Sequence, residues 1–239
     1  MFKPKKSGED RVESSPIDAV PASTTLLDRV LTFLLTIALM LWLVGASLMV
    51  LLLPQFTGFW SERLSDYENS SVSPHELQSA ADSGVRYVSG GADRMPRSDN
   101  EKVGFTAEVI SHMRDVRVVI STIRGLTIAI TVIVTVIIAL LVKRGQLARI
   151  GTSCFISSLL TLGAVATLTL FGWLNFDALF HLMHQLLFAE GTWQFSYNSL
   201  LITAYPLPFW IAMAATWAGL LLIGCIATLV IGISIKRIK

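Results

Sequence analysis

GFTAEVISHMRDVRVVISTIRG, residues 104–125, is the stretch on which the reading of this chain turns. No glycine or proline interrupts the run from Thr106 until Gly125. A helix is therefore expected to begin near Thr106 and continue without a break into the apolar stretch that follows. Steps of about 100° per residue place Phe105, Val109, His112, Met113, Val116 and Ile120 on one stripe, with Arg114 and Arg117 on another. His112 then points toward the apolar side. Asp115, three residues on, is placed to hold its ring in one tautomer. The plainer reading of His112 is a partly buried histidine that Asp115 satisfies and that does nothing more.

Working outward, the whole chain is too apolar and too poor in charge for an ordinary soluble domain. Its 239 residues are 53% hydrophobic and 15% charged, with a mean hydropathy of +0.62. Four stretches can cross a hydrocarbon core of about 30 Å: 30–53, 119–142, 150–173 and 209–235. The fold class expected is an all-α membrane protein with four transmembrane helices. The leader, 1–29, is too long and too mixed in charge for a signal peptide and is expected to be a disordered cytoplasmic segment. Lys and Arg crowd three places: ahead of the first span, the turn 143–149, and the tail 236–239. The segment 174–208 has none. By the positive-inside rule the N- and C-termini are cytoplasmic and the loops 54–118 and 174–208 are extracytoplasmic. A formal net charge of +2 without a basic stripe gives no support to nucleic acid as a partner. Cys154 and Cys225 lie inside apolar runs, so no disulfide framework is implied.

The first loop, 54–118, reads as a small, mainly helical cap. Ser73-Pro74-His75-Glu76 is a capping box with proline at the first helical position, predicting a helix over 74–88 that stops at Gly90-Gly91. A second cap helix is expected over 106–118. His75 lies in the first turn of a polar helix and reads as surface. In the second loop an interfacial helix is expected over 176–188. There Asp177, His181 and His184 fall at i, i+4 and i+7, opposite Leu179, Leu182 and Leu186. A purely structural account makes these histidines partners of water and headgroups, with Phe56, Phe59, Trp60, Trp173, Trp193 and Trp210 as an aromatic belt.

His112-Met113-Arg114-Asp115-Val116-Arg117 ahead of a span, then Phe176 through His184 to Phe188, Trp193, and Leu201-Ile202 before Pro206, resemble the lipoprotein intramolecular transacylase (Lit) family of Gram-positive bacterial membrane proteins. The order of motifs and the four-span layout extend the resemblance over most of the chain from Leu31 onward. The resemblance implies an acyltransferase that moves the sn-2 acyl chain of a diacylglyceryl-cysteine lipoprotein onto that lipoprotein's own α-amino group. No acyl-CoA, metal or other cofactor is implied; the partners are the lipoprotein substrate and membrane lipid. The family's two essential histidines match His112 and His184. His181 is the extra histidine and stays an alternative to His184, because Met183 stands where an aromatic residue is expected. Ser199 stands where relatives often carry an acidic residue. Asp115, Asp177, His181 and Trp193 are expected in supporting roles, and Arg117 and Arg124 as substrate-binding residues or interfacial anchors.

The chemistry gives two imidazoles work to do. The attacking amine, with a pKa of about 7.7–8.0, must lose a proton that an imidazole can accept. A second, protonated imidazole could stabilise the oxyanion and protonate the departing glycerol oxygen. Which histidine plays which part is left open by the sequence. No Gly-x-Ser-x-Gly elbow occurs in the chain, which weakens a serine hydrolase reading. Two other readings compete: a metal-dependent membrane hydrolase using His112, His181, His184 and a carboxylate, and a non-catalytic membrane assembly protein.

Overall fold

The computed structural model describes residues 25–237. The expected disordered leader lies, up to residue 24, outside the described residues. Residues 25–29 already belong to a helix start: Thr25 and Asp28 form a capping box that opens α1, Leu26–Leu51. The helices that follow are α2 (Pro54–Leu64), α3 (Pro74–Val88), α4 (Ala107–Lys143), α5 (Leu147–Leu174), α6 (Phe176–Leu187), α7 (Leu200–Ala204) and α8 (Leu207–Arg237). Four of them, α1, α4, α5 and α8, are long and apolar enough to cross a membrane. Two short helices, α2 and α7, were not anticipated. Pro54 supplies the start of α2, but Gly58 and the mixed polarity of the segment hide its helical period.

α1 packs against α4, α5 and α8, and α5 against α8. The α5–α8 contact depends on a glycine pair: a Cβ at Gly232 would lie 2.8 Å from the carbonyl oxygen of Gly151, and a Cβ at Gly151 equally close to that of Gly232. Small residues at this crossing let the two backbones touch. At the same end of the bundle, buried Asp28 accepts from Arg144 Nε at 2.5 Å, and Arg144 also donates to Thr25 Oγ1 at 3.0 Å. Tryptophans cross-link the helices: Trp42 donates to Thr131, Trp217 to Ser47 and Trp60 to Thr216, each at 2.9–3.0 Å.

The opposite end carries the cap. α4 has 37 residues, and at roughly 1.5 Å per residue it measures about 55 Å, well beyond a hydrocarbon core of about 30 Å. The helix is longer than a bilayer core, and its first three turns pack into the cap. Phe105, just ahead of α4, and Val109 and Met113 from its first turns join Leu77, Ala81 and Tyr87 of α3 and Leu200, Leu201, Ala204, Tyr205 and Phe209 around α7 and α8 in one apolar core. The Tyr205 hydroxyl donates to the carbonyl of Ala81 in α3. Gly90, at φ +86°, turns the chain away from α3 in a conformation that favours glycine.

Replacing Gly232 by leucine should drive a side chain into the Gly151 backbone and cost about 1–3 kcal/mol of stability. Leucine at Gly163, where an added Cβ meets nothing within 4 Å, should cost far less. Thermal unfolding of the two variants in detergent makes the comparison; equal losses would refute the close-approach account.

Candidate active site

His112 lies in the second turn of α4, about 47 Å from Lys143 along the helix axis, a distance greater than a hydrocarbon core of about 30 Å. Thr106 starts this helix by accepting from the Val109 N–H. His184 comes from α6, which Asn175 caps by accepting from the Ala178 N–H at 3.0 Å. The two imidazoles stack with ring centroids 6.2 Å apart and planes inclined by 24°. Each is only 7% exposed. Residues 72 positions apart in the chain thus share one enclosed site.

The walls are aromatic. Phe188 stands edge-on to His112 at 4.8 Å and Phe195 at 5.6 Å. Phe180 and Trp193 flank His184 at 4.0 and 4.9 Å. Phe180 lies one turn before His184 on the same face of α6, and Phe188 is the extended C-cap residue that follows the helix. Phe195 comes from an irregular loop. A pocket of ≈ 490 Å³ lined by Glu101, Glu108, Ser111, Gln194 and Ser196 reaches Phe195 but not the imidazoles.

The supporting carboxylates are not where the sequence placed them. Asp115 is exposed, and His112 Nδ1 has no hydrogen-bond partner among the described residues. Asp177 sits 3.8 Å from His181 Nε2, both on the open side of α6, and does not reach His184. The reason is helical phase: the positions i and i+7 overlap only in projection, two turns apart, and α6 turns His184 inward with Phe180. His184 is held instead by the backbone, its Nδ1 lying 2.8 Å from the carbonyl oxygen of Phe180. A carbonyl only accepts, so Nδ1 carries the proton and Nε2 presents its lone pair.

Other expected residues resolve in the same way. Trp193 is buried, 8% exposed, beside both His181 and His184, and is no belt residue. Trp60 is likewise tied inward to Thr216, whereas Trp173 is 87% exposed. Arg117 Nη1 donates to the Ala92 carbonyl at 2.8 Å and stacks over Tyr87. Arg124 donates to the Ser89 carbonyl at 2.9 Å. Both arginines fasten the C-terminal end of α3 to α4, where helix carbonyls favour cations, rather than opening toward the histidines. Ser199, buried, caps α7 by accepting from the Ile202 N–H. His75 lines a separate pocket of ≈ 430 Å³ with Gln78, Asp82 and Arg86. Among the described residues no group of three His, Cys, Asp or Glu side chains is arranged to hold a metal ion.

Burial sets the charge state of the pair. Desolvation, and then the neighbouring His184, push the pKa of His112 down to about 4, with Asp115 opposing weakly. Desolvation also lowers His184, against the opposing effect of the Phe180 carbonyl. Both shifts favour the uncharged form of the rings in the resting site. The consequence for stability follows in sign. Below about 6.5 the unfolded chain takes up protons that folded His112 refuses until about 4, so acid destabilises the fold across that window. The thermal stability of purified protein should fall between pH 6.5 and 4, and fall less in His112→Gln; identical pH dependence in the two proteins would contradict this.

Comparison with known proteins matches this arrangement to a family. The family model described as "Lipoprotein intramolecular transacylase Lit" matches residues 33–210. An uncharacterized protein of Aquifex aeolicus is 30% identical over 114 residues, 48% of this chain and 50% of that protein, so the match spans about half the length of the curated relative. The in meso structure of the membrane integral lipoprotein intramolecular transacylase Lit from Bacillus cereus superposes with a TM-score of 0.75 at 20% identity, covering 89% of this chain and 99% of that one. A structure of the same Bacillus cereus protein with one histidine changed to arginine gives 0.69 at 18% identity, over 88% and 92% of the two chains. The solved structures share the fold, an all-helical multi-pass membrane architecture. With a family model matching across residues 33–210, from the first span through the histidine sites to the start of the last, the chain belongs to the Lit family of lipoprotein intramolecular transacylases.

Proposed function

We propose that this protein moves the sn-2 acyl chain of a diacylglyceryl-cysteine lipoprotein to the α-amino group of the same cysteine, producing a lyso-form lipoprotein. The observation that carries this reading is the enclosed His112–His184 pair, 6.2 Å between ring centroids, in a chain of this family. The site faces outward, away from the Asp28–Arg144 end, where the basic turn and tail follow the positive-inside pattern.

His184 is the better base. Its Nδ1–H is engaged by the Phe180 carbonyl, which leaves Nε2 free and supports the positive charge that develops when it accepts a proton. The amine nitrogen attacks the sn-2 carbonyl carbon as His184 Nε2 takes the amine proton. The C–N bond forms and the carbonyl π pair moves onto oxygen. When the intermediate collapses, the C–O bond to glycerol breaks, and the imidazolium of His184 returns its proton to the glycerol oxygen. Ester and amine become amide and alcohol with no net gain or loss of protons. His112, neutral because it is buried, serves as a hydrogen-bond donor to the oxyanion, as a neutral imidazole can. Nucleophile and ester belong to one substrate, so holding them together supplies an effective molarity of about 10⁵ M or more. His181, half-exposed and paired with Asp177, lies outside this exchange.

Mass spectrometry of a lipoprotein from cells carrying the protein should show one acyl chain moved from glycerol to the amino terminus. His112→Ala and His184→Ala should each lower that transfer by about 10²-fold or more. His75→Ala and His181→Ala should leave it within a few-fold, and a chelator should not change it. Full transfer by either of the first two variants, or loss on chelation, would overturn the proposal.

A further inference from the structure

Among the described residues three buried side-chain polar atoms have no hydrogen-bond partner: His112 Nδ1, Thr161 Oγ1 and Trp193 Nε1. Thr161 lies within the apolar span of α5. The other two are in the histidine site. A buried donor left unpaired costs about 1–3 kcal/mol, so folded proteins seldom keep one without a use. The indole N–H is a special case among the site's polar atoms, because it can only donate. It cannot become an acceptor by changing tautomer, as an imidazole nitrogen can.

The surroundings narrow what the Trp193 N–H can serve. Its ring is 8% exposed and tilts 38° to His184 at 4.9 Å. The side chains of Phe180, Phe188 and Phe195, which complete the walls, offer no acceptor, the Phe180 carbonyl is engaged by His184 Nδ1–H, and the His184 Nε2 lone pair is kept for the substrate amine. Arg117 and Arg124 spend donors on cap carbonyls. The acceptor that suits an orphan donor in this dry enclosure is one that arrives with substrate and gains negative charge during the reaction. An ester carbonyl oxygen has that chemistry.

We infer that the Trp193 indole N–H donates to the carbonyl oxygen of the sn-2 acyl ester and strengthens that bond as the oxygen becomes an oxyanion, making Trp193 a second donor beside His112. The inference rests on the transacylase reading above. Because the bond tightens only as charge develops, its loss falls on kcat more than on KM. Trp193 also keeps His184 in place by ring contact, so the N–H must be separated from the ring.

The test replaces Trp193 by 3-benzothienylalanine, which keeps the bicyclic shape and exchanges N–H for sulfur, alongside Trp193→Phe. Each is assayed with a synthetic diacylglyceryl-cysteine peptide in detergent, with thermal unfolding as a check on the fold. The benzothienyl variant should unfold at the wild-type temperature and lose about 10²-fold in kcat with KM changed less than about 3-fold. Infrared difference spectra of the substrate bound to slow His184→Ala protein should show the ester C=O stretch at lower frequency, and the benzothienyl replacement should raise it. Wild-type kcat in the folded benzothienyl variant, or an unshifted ester band, overturns the role of Trp193 while leaving the transacylase reading intact. Absence of transfer by the wild-type protein overturns that reading itself.

Discussion

The helical run from Ala107 to Lys143 has no proline and only Gly125 as a weak point. Every other feature of the site depends on that continuity. The lower end of α4 is fixed against α1 by apolar packing and by the bond from Arg144 to the buried Asp28. The upper end is fixed against the cap by Arg117 and Arg124 and by the core around Phe105, Val109 and Met113. A rod held at both ends fixes the position of His112 relative to the bundle, which a loop of the same length would leave to fluctuation. α6, separated from α5 by the single residue Asn175, brings His184 up to His112 from the other side of the site.

The enclosure has chemical consequences that neither histidine would have alone. Four aromatic rings around two imidazoles remove water, and removing water disfavours charge on both. A pair of solvated histidines would titrate near 6.5 and repel each other when protonated. Here burial lowers the pKa of both rings, and one is committed to a tautomer by a backbone carbonyl. Such a site favours a reaction that begins and ends without net charge and passes through a transient pair of opposite charges. Aminolysis of an ester within one molecule has that profile, and hydrolysis would require admitting the water that the walls exclude.

Much of this was legible in the chain. The four spans, the capped helix at Pro74 and the inward stripe of α4 follow from apolar period and capping chemistry, because those signals act within one element. His112, Val109, Met113 and Ile120 share a face whatever they pack against, and the face is buried. What the chain concealed was what lies across the site. The carboxylates Asp115 and Asp177 were the obvious helical neighbours of the histidines, yet local spacing gives a partner only if the element turns that way. α6 is rotated by its packing so that Leu182, Met183, Leu186 and Leu187 stay outside and His184 goes in. The Phe180 carbonyl then replaces the carboxylate, and a backbone group leaves no mark in a sequence. Phe195 and the depth of Trp193 depend on the course of the 188–199 loop, which has no period at all. α2 and α7 were missed because a short helix in a cap takes its stability from tertiary contacts more than from its own propensity.

The two halves of the enclosure are held by different forces. On the cap side, side chains of α4 donate to backbone carbonyls at the end of α3, the hydroxyl of Tyr205 donates to Ala81, and Ser65 reaches the carbonyl of Ala204. These directional bonds fix register as well as contact. On the α6 side, the side-chain hydrogen bonds among the described residues are local to the helix itself, at Asn175 and His184, and the contacts with its surroundings are apolar or aromatic. A side fixed by directional bonds opposite one held by apolar contact parallels, under the proposed function, a substrate with a peptide on one side and acyl chains on the other. The peptide needs defined hydrogen-bonding groups near water, whereas the chains need only a non-directional apolar surface continuous with lipid. The exposed leucines of α6 and the exposed Trp173 just before it provide that continuity, so the division of forces in the fold parallels the division of chemistry in the substrate class.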